Sequence, residues 1–141
     1  MVVGDPLIIK LTGEQTGGQY SMSEVHVSPG GGAPPHIHRR EDESFYILEG
    51  ELTFYVDGRE IAARVGDLVF GPKDVSHYYV NRGAAQARFL VTSTPAGMEH
   101  FFAAISRPEG APPGPPDAAE IAHIIATAAK FGLEILPPPG A

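Results

Sequence analysis

From Leu7 to Val91 the chain is a succession of short runs rich in Val, Ile, Phe and Tyr, each closed by Gly, Pro, Asn or Asp. Runs this short, fenced by turn residues, read as β-strands rather than helices. They span Leu7–Leu11, Tyr20–Val27, Phe45–Leu48, Glu51–Val56, Glu60–Val65, Asp67–Phe70, His77–Val80 and Ala87–Thr92. About eight strands are enough for a barrel or a sandwich. The pair Asp57-Gly58, which tolerates positive φ, predicts a hairpin turn between two of these runs. Turns of this kind and one linker account for 17 Gly and 14 Pro in 141 residues, because no collagen repeat is present.

Beyond Thr94 the period changes. Met98, Phe101, Phe102 and Ile105 recur at helical spacing after the break at Pro95 and Gly97, which predicts a short helix. Arg107 to Pro116 holds five prolines and two glycines and reads as an extended linker. A second helix is expected after it, capped by Asp117 with Glu120 three residues on, striped by Ile121, Ile124, Ile125 and Ala128, and stopped at Gly132. Its stripe needs a partner, either the outside of the barrel or a subunit interface. The expected organisation is therefore one β-domain over 1–94 and a helical, Pro-rich extension over 95–141.

Charge and composition narrow the function. With 17 Asp and Glu against 10 Lys and Arg, the formal charge of −7 repels phosphate backbones and anionic membrane faces, so neither nucleic acid nor membrane is an expected partner. No cysteine is present, which leaves only nitrogen and oxygen ligands for any metal. No basic stretch with a following apolar run opens the chain, and the expected location is cytoplasmic.

A metal-binding pattern does appear. His36 and His38 are separated by Ile37 alone, and strand alternation puts both imidazoles on one face. Glu43 precedes Phe45 and Ile47 at spacing two, so all three share the interior face; Asp42 is the reserve candidate if the register slips. His77 follows Gly71-Pro72 in a distant strand that closure of the barrel would bring opposite. Three neutral imidazoles and one carboxylate suit a single divalent transition metal ion, whether iron(II), manganese, nickel, copper or zinc, and leave positions open for chemistry.

These residues resemble the two motifs of the cupin superfamily. The first motif is met by Gly30, His36, His38, Glu43 and Gly50, the second by Gly66, Pro72, His77 and Asn81, with Asp74 where the family has glycine. Asp tolerates left-handed φ better than most residues, so the departure is expected to leave that turn intact. The resemblance implies an all-β fold, a single cupin jelly-roll barrel with one or two C-terminal helices, a metal site in the barrel mouth formed by His36, His38, Glu43 and His77, and a homodimer. The segment from His36 to Gly58, followed by a Pro-rich tail and a last helix, looks most like small quercetin dioxygenase relatives.

Function follows as an expectation: a metal-dependent dioxygenase acting on a small organic substrate of enol or phenol type, with dioxygen as the second substrate. In this scheme Glu43 either ligates or takes the substrate's proton, and Tyr79, two residues after His77, donates a hydrogen bond inside the barrel. The rivals are an isomerase or cyclase using the ion as Lewis acid, and a non-catalytic cupin that binds a small ligand. His26 can line the cavity or support a ligand but more often such a histidine is only exposed, whereas His100 and His123 have no partner pattern. Phe45, Ile47, Phe54 and Phe70 are expected around a dry cavity.

Overall fold

The computed structural model describes residues 5–138 other than 109 and 113. Ten strands form two antiparallel sheets. The first orders β1 (Leu7–Leu11), β2 (Ser21–Val27), β9 (Ala87–Thr94), β4 (Asp42–Glu49) and β7 (Leu68–Gly71). The second orders β10 (Leu133–Ile135), β3 (Gly32–His38), β8 (His77–Val80), β5 (Glu51–Val56) and β6 (Arg59–Arg64). Their inner faces meet on a core that includes Val25, Phe45, Ile47, Leu52, Phe54 and Phe89, all nearly fully buried. The alternating burial of β2 and β9 is the one-face-in, one-face-out pattern of a sandwiched antiparallel sheet.

Turn chemistry explains where the strands stop. Asp57 and Gly58 both adopt positive φ and join β5 to β6 in the expected hairpin. Asp74 also has positive φ, at 68°, so aspartate does take the left-handed conformation where the motif has glycine.

Three elements differ from the reading of the sequence: the face of β7, the short strand β10, and a four-residue helix at Gly13–Thr16 that no run predicts. Strand β7 turns Val69 and Gly71 inward, which leaves Phe70 outside and 52% exposed, not in the cavity lining. Its register against β4 pairs Ser44 with Phe70 and Phe45 with Val69, so the outward residues of both strands share a face. A short C-terminal strand, β10, was also not expected; it pairs with β3, Leu133 opposite His38 and Ile135 opposite His36.

The helices of the C-terminal part form a second, smaller core. α2 (Met98–Ile105) supplies Met98, Phe101 and Ile105, α3 (Ala118–Lys130) supplies Ile124 and Ala128, and β10 supplies Leu133. Asp117 accepts the backbone N–H of Glu120 at 2.8 Å, and Gly132 has a φ of 69° just past the helix end. Of the expected stripe, Ile124 and Ala128 are buried while Ile121 and Ile125 are 44% and 49% exposed. Within the linker expected at Arg107–Pro116, residues 109 and 113 lie outside the described residues, and the rest carries neither helix nor strand. A four-residue α1 (Gly13–Thr16) precedes β2. Among the described residues, no helix is long and apolar enough to cross a membrane.

Candidate metal centre

Three strands from both sheets converge on one point. In β3, His36 and His38 flank Ile37 and share a face, and His36 pairs directly with His77 of β8. Across the core, β4 buries Glu43, Phe45 and Ile47 in alternation, so the carboxylate faces the imidazoles from the opposite sheet. Pro34 and Pro35 fall where the β3–β8 register shifts, which suits residues without an N–H to give the ladder. Gly71 lies opposite Glu43, and a Cβ there would stand 3.0 Å from His77 Nδ1, so any larger residue would crowd that ring.

The four side chains place one donor atom each within 4.8 Å of all the others. Glu43 Oε1 lies 2.7 Å from His38 Nε2 and 3.0 Å from His77 Nε2, and Ser93 Oγ donates to Glu43 Oε2 at 3.4 Å. Behind the cluster, each imidazole presents Nδ1 to an oxygen. His36 Nδ1 meets the Pro34 carbonyl at 2.7 Å, and His77 Nδ1 meets that of Val75 at 3.4 Å. His38 Nδ1 meets Glu41 Oε1 at 3.4 Å. That last pair is at ion-pair distance without hydrogen-bond alignment, and both atoms are buried with no other partner. Carbonyl oxygens only accept, so His36 and His77 carry their proton on Nδ1 when neutral and keep Nε2 free.

A divalent ion fits these residues. The donor set is nitrogen and oxygen, the ring tautomers are fixed by outer acceptors as metal-ligating histidines require, and the unpartnered His38–Glu41 contact is the supporting carboxylate such sites carry.

Without an ion, the buried charges balance one another inside the cluster, a His38–Glu43 pair standing where a cation would compete for both groups. Burial would raise the Glu43 carboxyl, yet the charge and hydrogen bonds of His38 and His77 outweigh it and hold the group well below 4.5. Burial would lower His38, but Glu43 and Glu41 lift it to about 9. His36 is pushed down to about 3, first by burial and then by its two imidazole neighbours, so it stays neutral. Tyr79 also lines this space; burial and the charges of Asp5 and Glu43 push its phenol above 10, so it remains protonated. Its hydroxyl makes no hydrogen bond among the described residues.

The remaining sequence candidates lie elsewhere. Asp42 points away from the cluster and accepts the backbone N–H of Lys73 at 2.7 Å, so the reserve assignment is not supported. His26 pairs with Glu24 at 2.7 Å on the outer face of β2. His123 lies beside the Ala104 carbonyl on the helices, and His100 is exposed. Tyr78 faces away from Tyr79 and stacks on Tyr55, ring centroids 4.5 Å apart. Glu41 was hidden because it sits inside an acidic run, Glu41 to Glu43, that reads equally well as solvated charge.

A two-sheet antiparallel barrel with a three-histidine, one-glutamate cluster facing its interior defines the class as a cupin-type barrel with a candidate metal site. Comparison bears this out: the cupin domain family matches residues 23–93, half of the chain, and the chain belongs to it. It is 28% identical over 141 residues to the quercetin 2,3-dioxygenase of Bacillus subtilis (strain 168), an alignment covering 98% of this chain and 42% of that protein. Among solved structures, a predicted oxalate decarboxylase from Thermotoga maritima superposes with a TM-score of 0.61 at 27% identity, covering 63% of this chain and 78% of that one. A sugar phosphate isomerase of the cupin superfamily from Silicibacter pomeroyi gives 0.53 at 31% identity, covering 61% and 57%. The chain spans under half the length of the first curated relatives it matches.

Proposed function

We propose that the chain is a metal-dependent dioxygenase acting on a small organic substrate of enol or phenol type. The observation that carries this reading is the convergence of His36, His38, Glu43 and His77, three of which line an apolar cavity of about 620 Å³. The similarity to a quercetin 2,3-dioxygenase over nearly the whole chain supports it. His36, His38 and His77 would hold the ion with Glu43. A divalent ion so held supplies Lewis acidity and open positions that favour the ionised form of a substrate hydroxyl and its oxidation by dioxygen.

The chain's own groups divide the remaining work. Glu43, kept ionised by His38 and His77, is well suited to hold a cation and is a weak proton acceptor, which favours the ligand role over the base role. Tyr79 keeps its proton and has its hydroxyl free, so it donates a hydrogen bond to a substrate oxygen. Phe45, Phe89 and Val91 line the cavity, and the apolar surface they present beside the cluster strengthens polar contacts made there.

The test is oxygen uptake by the chain loaded in turn with iron, manganese, nickel or cobalt, across a panel of flavonols and β-diketones. The expected result is metal-dependent uptake that disappears in H77A and falls about tenfold or more in Y79F. A Lewis-acid isomerase is the second reading, favoured by the likeness to the sugar phosphate isomerase. No uptake with any metal, together with oxygen-independent turnover on zinc, would establish it instead.

A further inference from the structure

The cavity is the gap between two hydrophobic cores. One wall comes from the barrel core, through Val25, Phe45, Phe89 and Val91. The facing wall comes from the C-terminal core, through Met98, Phe101, Ile105, Ile124 and Leu133. Ile121 and Ile125, the exposed half of the α3 stripe, also line this space, so the part of the stripe without a protein partner borders the cavity. An apolar gap of about 620 Å³ has the volume of a site for a drug-sized molecule and far exceeds what a two-carbon acid would fill.

What the lining lacks is as informative. Among the described lining residues, the polar side chains apart from His36, His38 and Glu43 are Asp5 and Tyr79, and none is Lys or Arg. Asp5 is already engaged by the backbone N–H of Ser28 at 3.3 Å, and its carboxylate repels any further anion. A phosphate or carboxylate on the part of the ligand packed between the two cores would therefore be buried without a partner, at a cost that apolar contact does not offset.

We infer that the ligand of this site is a molecule with one metal-directed oxygen head and a bulky uncharged apolar body, which lies between the barrel core and the inner face of α2 and α3. A charged group carried on the body, out of reach of the ion, is disfavoured by the same lining. The inference rests on the proposed metal site for the head alone; the body is recognised by the two cores. Ile121 and Ile125 are the specificity-determining residues of the C-terminal wall.

A series with a constant head and a variable body separates the two claims. Straight-chain hydroxamates from acetyl to decanoyl are titrated calorimetrically into the nickel(II)-loaded chain and the metal-free chain. Affinity is expected to climb about fourfold per added methylene until the cavity is filled, as burial of each methylene predicts. The climb becomes shallower in I121S/I125S, whose side chains are near half exposed, so the fold survives the change. An ω-carboxylate on the longest chains is expected to weaken binding by about tenfold or more. A flat series in protein that binds acetohydroxamate overturns the inference while leaving the metal reading in place, and so does equal binding of the ω-carboxylate analogues. A climb of the same size with and without nickel supports the apolar body and overturns the metal reading.

Discussion

At the scale of single residues, Glu41 is the side chain whose position calls for a role. Its carboxylate is 4% exposed, three residues after His38, and faces that ring's outer nitrogen at 3.4 Å. A carboxylate there favours the tautomer that leaves Nε2 for a metal and makes the ring a stronger donor. E41Q preserves volume and removes the charge, so metal affinity is expected to fall about 10–100-fold while the far-ultraviolet circular dichroism stays unchanged. Isothermal titration with nickel(II) reads the difference; affinity equal to wild type would reduce Glu41 to packing. Neighbouring Asp42, whose side chain serves a backbone N–H outside the cluster, is the control, and D42N is expected to bind metal as wild type does.

At the scale of elements, Glu99 ties the start of α1 to the first turn of α2. Its buried carboxylate accepts the N–H of Gly13 at 2.5 Å and of Gly97 at 2.6 Å. Burial acts to raise this carboxyl, but the backbone donors outweigh it and hold it below 4.5. The folded value lies below the unfolded one, so the stabilisation is fully present above about pH 4.5 and is lost as pH falls through the folded pKa. E99A should cost about 2 kcal/mol at neutral pH through two unsatisfied donors, and its stability should decline less than wild type's below pH 4.5 in urea melts. Parallel acid limbs would show that Glu99 is not ionised in this contact. Which elements were legible in the sequence follows from how local their causes are. The β4 alternation, the Asp57-Gly58 turn and the Asp117 cap act over a few residues, and each is found where the spacing places it. Strand β10 has three residues and no alternation to read, and its cause is the open edge of β3, which is remote in the chain. Phe70 was misplaced because a four-residue strand can slip by one residue at no cost to its composition, and only pairing with β4 decides its face. Glu41 needed the third dimension altogether.

At the scale of the whole molecule, the cluster spans the seam between the sheets, with three imidazoles on one and the carboxylate on the other. An ion held there would cross-link the two halves of the barrel. The metal-free chain has a partial substitute, since Glu43 pairs with His38 at 2.7 Å and His77 at 3.0 Å across the same seam. Removal of the ion should therefore lower stability without unfolding the barrel, whose apolar core is independent of it. An ion present at about a thousandfold over its dissociation constant contributes roughly 4 kcal/mol to the folded state. For a domain of this size that corresponds to a rise of about 10 °C in melting temperature. Scanning calorimetry with nickel(II) and then with excess chelator should show the rise and its reversal, and H77A should show neither. Equal melting temperatures under both conditions would mean that no ion bridges the sheets, whereas outright unfolding by chelator would make the ion a structural requirement, with the Glu43 pairs too weak to hold the seam alone.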